Sequence, residues 1–313
     1  MTEPDAEPFD AAPSDPQPAD RAVAIVVNYN AASHLGTCLD GLRAAGVGDI
    51  VVVDNGSSDD SREVVAAAGP GVSWLPLGAN LGYGAAANRA ARLMPGRDIL
   101  VCNPDIEVGD GAVDALRASL RDDPGLGVVG PRLLNADGSV YPSARTFPDL
   151  VDAFGHGLLG LVVPNNPFTR RYRMLDRDYD RPADVDWVSG AFVLIRRRTW
   201  EEIGGFDPRY FMYLEDVDLC WRAGRAGWRV GYVPEAEVVH FQGVSAARHP
   251  YRMQVAHHRS MWRFATQTSV GAKRWALPVV AVGLVCRVAV ASLHHRFGGF
   301  RRPSRRLRQS PRS

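Results

Sequence analysis

Lysine is almost absent from this sequence. Lys273 stands alone among 36 basic residues and every other cation is arginine, which excludes lysine-dependent chemistry through most of the 313-residue chain. Cysteine is scarce too: Cys38, Cys102, Cys220 and Cys286 lie far apart, with no C-x-x-C pair. That spacing excludes a disulfide framework or a zinc site and points to free thiols in a reducing cytoplasm. No G-x-G-x-x-G follows the first apolar run and no G-x-x-x-x-G-K-[ST] occurs, so the dinucleotide and P-loop fingerprints are missing. The N-terminus has no basic segment followed by an apolar one, so no signal peptide is expected. Charge is also missing from the body of the chain. Residues 1–20 hold six acids and no base, and residues 294–313 hold seven arginines and no acid. Against a formal net charge of +1, the part between is neutral, which argues against a nucleic-acid binder with its basic face.

What is present is a composition of 46% apolar and 23% charged residues, enough for one large α/β domain with a full core. Five prolines and six acids mark residues 1–20 as a disordered leader. Apolar runs at 23–27, 50–53, 72–77 and 98–102 read as strands, with helices expected near 33–45, 59–68 and 84–93. This alternation predicts right-handed βαβ units and a parallel sheet, with ligands beyond the carboxyl ends of the strands. Residues 144–184 break the alternation with prolines, aromatics and mixed charge, as functional or mobile segments do. Regular structure is expected again at 185–195, as helices near 199–203 and 215–226, as a strand near 229–233, and as a helix from 250 to about 264. The organisation expected is a leader (1–20), a main domain (21–265, with halves 21–143 and 144–265) and a C-terminal extension (266–313).

The polar clusters sit just after the apolar runs. Val27-Asn28-Tyr29-Asn30 follows the first, where a turn and helix cap would suffice as explanation. Asp54-Asn55-Gly56-Ser57-Ser58-Asp59 follows the second, where a carboxylate and an amide can cap a helix or read a base edge or ribose hydroxyl. Asn80-Leu81-Gly82-Tyr83-Gly84, running on to Asn88, opens a helix with small residues that allow close backbone approach to phosphate. Asn103-Pro104-Asp105 places an acid directly after the fourth run, where a divalent cation on a diphosphate needs one or two carboxylates. The block Gly204-Gly205-Phe206-Asp207-Pro208-Arg209-Tyr210-Phe211-Met212-Tyr213-Leu214-Glu215-Asp216-Val217-Asp218-Leu219-Cys220-Trp221-Arg222 is more specific. The helix dipole accounts for one or two acids at a helix start, but not for three set between an aromatic patch and a Trp-Arg pair. Val238-Val239-His240-Phe241-Gln242-Gly243 adds a histidine after an apolar pair.

In this order the six motifs resemble the inverting family-2 glycosyltransferases of the GT-A fold, over about residues 22 to 265. The long block is most similar to the bacterial rhamnosyltransferase type that acts on polyprenyl-diphosphate-linked N-acetylglucosamine. The resemblance implies a mostly parallel central sheet flanked by helices, a nucleotide-diphosphate sugar donor such as dTDP-rhamnose, a polyprenyl-diphosphate-linked glycan acceptor, and Mg²⁺ or Mn²⁺ as cofactor. It assigns Val27, Tyr29, Asp54 and Asn55 to the base and ribose, and Asn80, Gly82 and Asn88 to the nucleotide sugar. It assigns Asp105 and His240 to the metal, and Asp216 to the catalytic base. Asn103 departs from the family's D-x-D by replacing its first acid, where it can still meet ribose or water; a metal site with fewer carboxylates is weaker. Asn55 likewise replaces a second aspartate. Glu215, Trp187, Ser189 and Gly190 are candidates for the acceptor pocket, although strand packing with a turn explains the last three nearly as well.

A single displacement needs one base and no enzyme nucleophile, and no separate nucleophile motif is found. Two rivals remain at this level: a sugar-phosphate nucleotidylyltransferase, which would want lysines near the phosphates, and a non-catalytic nucleotide-sugar binder of the same fold. The run from Trp275 to Cys286 is interrupted by Pro278 and Gly283 and falls short of the roughly 20 residues that span a bilayer. Beside seven arginines it suits docking on an anionic membrane surface, at the inner face of the cell membrane, or packing on the domain.

Overall fold

The computed structural model describes residues 22–147, 178–241 and 250–285, except residue 279, and residue 167. The acidic leader, most of the irregular stretch, residues 242–245 and the arginine-rich tail lie outside the described residues.

The first strand explains the architecture. β1 (Val23–Asn28) is buried at every position. Its residues feed two cores in alternation: Val23, Ile25 and Val27 join one, Ala24 and Val26 the other. A strand covered on both faces must be apolar throughout, which is why it reads as a continuous run. Parallel to it lie β2 (Ile50–Asp54), with β3 (Val72–Pro76) beyond, and β4 (Ile99–Cys102) on the other side. Helix α1 (Ala32–Ala44) covers one face through Leu35, Leu39 and Leu42, while α3 (Tyr83–Leu93) covers the other through Ala86, Ala87 and Ala90. Full burial of a leucine contributes about 1.5–3 kcal/mol. The short α2 (Ser61–Ala67) joins β2 to β3.

After β4 the chain leaves simple alternation. β5 (Ile106–Val108), α4 (Ala112–Asp122), β6 (Leu126–Leu134), β7 (Val140–Tyr141) and β8 (Ala144–Arg145) follow, then β9 (Ala183–Val185), β10 (Trp187–Val188) and β11 (Phe192–Ile195). The remaining elements are α5 (Arg197–Ile203), α6 (Glu215–Arg225), β12 (Arg229–His240) and α7 (Pro250–Thr268), with a 3₁₀ turn at Gly271–Ala276. The main sheet has the order β3-β2-β1-β4-β11-β6-β12-β5, with β7 on β6 and β9 on β12. Along that path β11 pairs antiparallel with both β4 and β6, and β5 antiparallel with β12; the other six strands run one way. The sheet is thus mostly parallel and flanked by helices. Strands from after residue 144 enter the same sheet as strands from before it, so both stretches share one core. β8 and β10 form a separate two-stranded ribbon.

Two expectations change. The stretch expected at 185–195 is three short strands, broken at Asp186 and again by the turn at Gly190 and Ala191. The strand near 229–233 runs on to His240, carrying the histidine to the edge of the site. The sheet is mostly parallel as expected; β11 enters it antiparallel, a direction without a sequence signature because a strand buried on both faces looks the same whichever way it runs. Cys38, Cys102 and Cys220 are free and buried.

Candidate active site

The carboxyl ends of the strands open into a cavity of about 750 Å³. Val27, Tyr29, Asn55, Asn80 and Gly82 line it from the ends of β1 and β2 and the start of α3, Asn103, Asp105 and His240 from beyond β4 and the end of β12, and Trp187, Ser189, Gly190, Glu215 and Asp216 from the β10–β11 turn and the start of α6. Six separated motifs therefore converge on one space.

In the first group the loops hold one another. The Asn55 amide accepts from the Leu81 N–H (3.1 Å) and donates to the Gly82 carbonyl (3.4 Å). Gly82 has φ +93°, and a Cβ there would stand 2.3 Å from the Phe211 carbonyl oxygen, so only glycine allows this approach. Two residues expected here are placed elsewhere. Asp54 lies outside the cavity, accepting from the Asn28 amide (2.9 Å), the Ser57 hydroxyl and the N–H groups of Gly56 (3.1 Å) and Ser57 (2.9 Å). Asn88 also lies outside, with its amide spent on Phe206: Nδ2 donates to the carbonyl (2.7 Å) and Oδ1 accepts from the N–H (3.0 Å). Their bonds tie loops of the protein together: Asp54 accepts four hydrogen bonds, and Asn88 makes one of each kind to the Phe206 backbone.

Beyond β4, the Phe241 N–H donates to the Asp105 carbonyl (3.0 Å), bringing the end of β12 beside the acid. His240 Nε2 then lies 3.3 Å from Asp105 Oδ1 and 3.0 Å from the Asn103 amide nitrogen. His240 Nδ1 is buried without a partner among the described residues. His240 Nε2 thus faces both the Asp105 carboxylate and the Asn103 amide, and its tautomer sets which of the two it bonds. The separation from the carboxylate is close to the roughly 3 Å between adjacent ligands of an octahedral cation with 2.0–2.1 Å bonds. Among the described residues no group of three His, Cys, Asp or Glu could enclose a metal. The pair therefore fits a cation that takes its remaining ligands from a substrate diphosphate and water, as Mg²⁺ commonly does.

Glu215 and Asp216 form the first turn of α6, preceded by Tyr213 (φ +66°) and Leu214 (φ +62°). Consecutive left-handed non-glycine residues cost about 1–3 kcal/mol each and persist only where packing enforces them. Here α7 does so: the Ser260 hydroxyl donates to the Met212 carbonyl (3.0 Å), and the His257 ring lies 5.2 Å from the Tyr213 ring. Asp216 Oδ2 accepts from the Gly190 N–H (2.9 Å) and Oδ1 from the Val217 N–H (2.8 Å). Glu215 is buried, and its Oε2 has no hydrogen-bond partner among the described residues. Burial, and then the charge of Asp216, push its carboxyl up to about 8. Burial raises Asp216 too, opposed by the two N–H groups and by the Arg145 charge. The adjacent carboxyls thus have unequal surroundings, which separates their protonation. Asp218, the third acid of the block, faces away, bonded to Arg222 (2.7 Å) and to Gln267 of α7 (2.7 Å).

Tyr83, Tyr141, Arg145, Phe211, Met253 and His257 also line the cavity, although the sequence reading had not chosen them. Phe211 and Tyr83 sat inside quoted motifs. Tyr141, Arg145, Met253 and His257 belong to none, and long-range packing alone brings them in.

Residues 18–274 match the family described as glycosyltransferase like family 2. The chain belongs to that family. It is 40% identical over 268 residues to N-acetylglucosaminyl-diphospho-decaprenol L-rhamnosyltransferase of Mycobacterium tuberculosis, covering 82% of this chain and 86% of the relative. It is 26% identical over 240 residues to the low-salt glycan biosynthesis hexosyltransferase Agl10 of Haloferax volcanii, covering 74% and 70%. Among solved structures, the Pyrobaculum calidifontis mannosyltransferase PcManGT, in complex with GDP-Man and Mn²⁺, aligns with TM-score 0.53 at 18% identity over 94% of this chain and 85% of that one. Staphylococcus aureus TarS 1–349 aligns with TM-score 0.53 at 14% identity, over 90% and 75%. The fold is GT-A and the protein is a glycosyltransferase, as the motif resemblance implied.

The unequal carboxyls predict a pH dependence of stability. Folded Glu215 keeps its proton up to about pH 8, whereas the unfolded chain releases it near the ordinary value of 4.5. Between those values the folded state holds the extra proton, so stability falls as pH rises, by up to about 1 kcal/mol per unit. Glu215→Gln should flatten that decline between pH 5 and 8, measured by urea unfolding. An unchanged slope would mean that Glu215 is already ionised in the folded protein.

Proposed function

We propose that this glycosyltransferase moves L-rhamnose from dTDP-rhamnose to N-acetylglucosamine linked through diphosphate to a polyprenyl carrier, in cell-wall or surface-polysaccharide synthesis. The observation that carries the reaction is the backbone-held carboxylate of Asp216, in the same cavity as the nucleotide-facing loops and the Asp105–His240 pair. The acceptor is suggested by the name of the mycobacterial relative, whose length the chain nearly matches.

In this reading Val27, Tyr29, Asn55, Asn80 and Gly82 cradle the nucleotide sugar. Asn103 sits beside the metal pair, and Asp105 and His240 hold the cation. A divalent cation, Mg²⁺ or Mn²⁺, would neutralise charge on the departing nucleoside diphosphate. Trp187, Ser189, Gly190 and Glu215 shape the acceptor end. An acceptor hydroxyl attacks the anomeric carbon from the face opposite the leaving group, and Asp216 takes the hydroxyl proton. The new C–O bond forms as the bond to phosphate breaks, the electron pair leaves with the nucleoside diphosphate, and configuration inverts.

Asp216→Asn should lower transfer by roughly 10²–10⁴-fold while leaving nucleotide-sugar binding near wild type. Near-normal turnover by the folded variant would remove Asp216 from the role of base. A separate measurement addresses the cation. Chelation should abolish activity and Mg²⁺ or Mn²⁺ restore it, and Asp105→Ala should weaken nucleoside-diphosphate binding only when metal is present. Equal binding with and without metal, in both proteins, would show Asp105 to be a cap.

A polyprenyl-linked acceptor also requires access to a membrane surface. Among the described residues no helix is long and apolar enough to cross a membrane. Val270, Trp275, Val282 and Val285 nevertheless expose 69%, 87%, 63% and 69% of their surfaces, just ahead of the seven arginines of residues 294–313. Each arginine adds about 1 kcal/mol near an anionic surface. We infer peripheral docking at the inner face of the cell membrane. Truncation after residue 274 should abolish co-sedimentation with anionic liposomes and preserve nucleotide binding; undiminished sedimentation would place the contact elsewhere.

A further inference from the structure

Arg145 belongs to none of the six motifs, yet it is the only arginine lining the cavity among the described residues. Its position is built. β8 pairs with β10 so that Arg145 stands directly opposite Trp187. The guanidinium carbon lies 5.1 Å from the Trp187 ring centre and 5.6 Å from that of Tyr141. Nε donates to the Pro142 carbonyl (2.7 Å) and Nη2 to the Tyr141 hydroxyl (3.2 Å). A guanidinium stacked and bonded in this way has its donor fork oriented before any ligand arrives, the arrangement suited to phosphate oxygens.

Its location says which phosphate. The donor's diphosphate has a compensating site at Asp105 and His240, beyond β4. Arg145 lies beside Trp187, close enough to Asp216 for its positive charge to be felt there. If the acceptor is the one proposed above, it brings a second diphosphate into the cavity. That group is attached at the anomeric carbon of the sugar whose hydroxyl must reach Asp216. The acceptor diphosphate is therefore held within one hexose ring of the base, whose carboxyl feels the Arg145 charge. We propose that Arg145 recognises the diphosphate of the acceptor and so selects diphosphate-linked glycans over neutral glycosides. This inference rests on the acceptor class proposed above and adds the residue that reads it.

The test compares two acceptors, N-acetylglucosamine on a short polyprenyl diphosphate and a neutral alkyl glycoside of the same sugar. Charge-assisted hydrogen bonds of this kind predict that Arg145→Gln raises KM for the diphosphate acceptor roughly 10- to 100-fold, with KM for the neutral glycoside and Kd for dTDP changed by less than about twofold. Arg145→Lys should recover only part of the loss, because a point charge lacks the planar fork. Equal losses on both acceptors would overturn the proposal in favour of a residue that clamps Trp187 or tunes Asp216. Weakened dTDP binding would overturn it in favour of the donor diphosphate. Equal KM values for the two acceptors in the wild-type enzyme would overturn it without any variant, whether or not Arg145→Gln folds. Absence of transfer to either acceptor would defeat the proposed reaction instead. Calorimetric binding of the diphosphate acceptor then decides Arg145 separately, and undiminished binding by Arg145→Gln would count against it.

Discussion

A single backbone N–H, that of Gly190, fixes the geometry of the site. It donates to Asp216 at 2.9 Å, and a Cβ on Gly190 would stand 3.2 Å from the Asp216 Cβ, a tight contact. The carbonyl of the same residue accepts from the Tyr83 hydroxyl at 2.6 Å. Tyr83 begins α3 and donates its own N–H to the Phe211 carbonyl at 3.1 Å. Phe211 in turn leads through the left-handed pair Tyr213 and Leu214 into the turn that carries Asp216. These contacts close a ring: the loop that faces the donor and the turn that faces the acceptor are braced by the same few bonds. A hydrogen bond to a charged group contributes about 1.5–3 kcal/mol, enough to hold a carboxylate against one rotamer change.

The ring also explains why the carboxyls differ. Asp216 has two N–H donors and a nearby guanidinium charge; Glu215, one residue earlier on the same turn, has an oxygen with no hydrogen-bond partner among the described residues. In the proposed reaction that difference divides the labour, with Asp216 available to accept a proton and Glu215 retaining its own as a neutral wall of the acceptor pocket. In the same proposed reaction the Asp105–His240 pair would meet the opposite chemistry, holding a cation against the negative charge of the leaving group.

Much of this was legible in the chain. β1, β2 and β4 are buried on both faces, so they appear as unbroken apolar runs, and the polar residues that follow them had to lie at one edge of the sheet. Asp105, His240, Glu215 and Asp216 accordingly reached one cavity from positions more than a hundred residues apart. Less visible was anything set by pairing direction or long-range bonding. The antiparallel insertion of β11 has no local signature. Asp54 and Asn88 look like ligands in their motifs, but they lie outside the cavity lining and bond to Asn28, Gly56, Ser57 and Phe206, which only the folded loops reveal. Arg145 and Tyr141 escaped for the reverse reason: they sit in two-residue strands, too short for periodicity, and acquire meaning only from the register that sets Arg145 opposite Trp187.

The proposed reaction requires one turn of α6 to hold two neighbouring carboxyls in different protonation states. Carbon-13 NMR titration of side-chain carboxyls, assigned with the Glu215→Gln and Asp216→Asn variants, reads this directly. The account predicts that at pH 7 the Asp216 signal is that of a carboxylate while the Glu215 signal is still that of an acid, changing near pH 8. Two ionised signals at pH 7, or the reverse assignment, would contradict it.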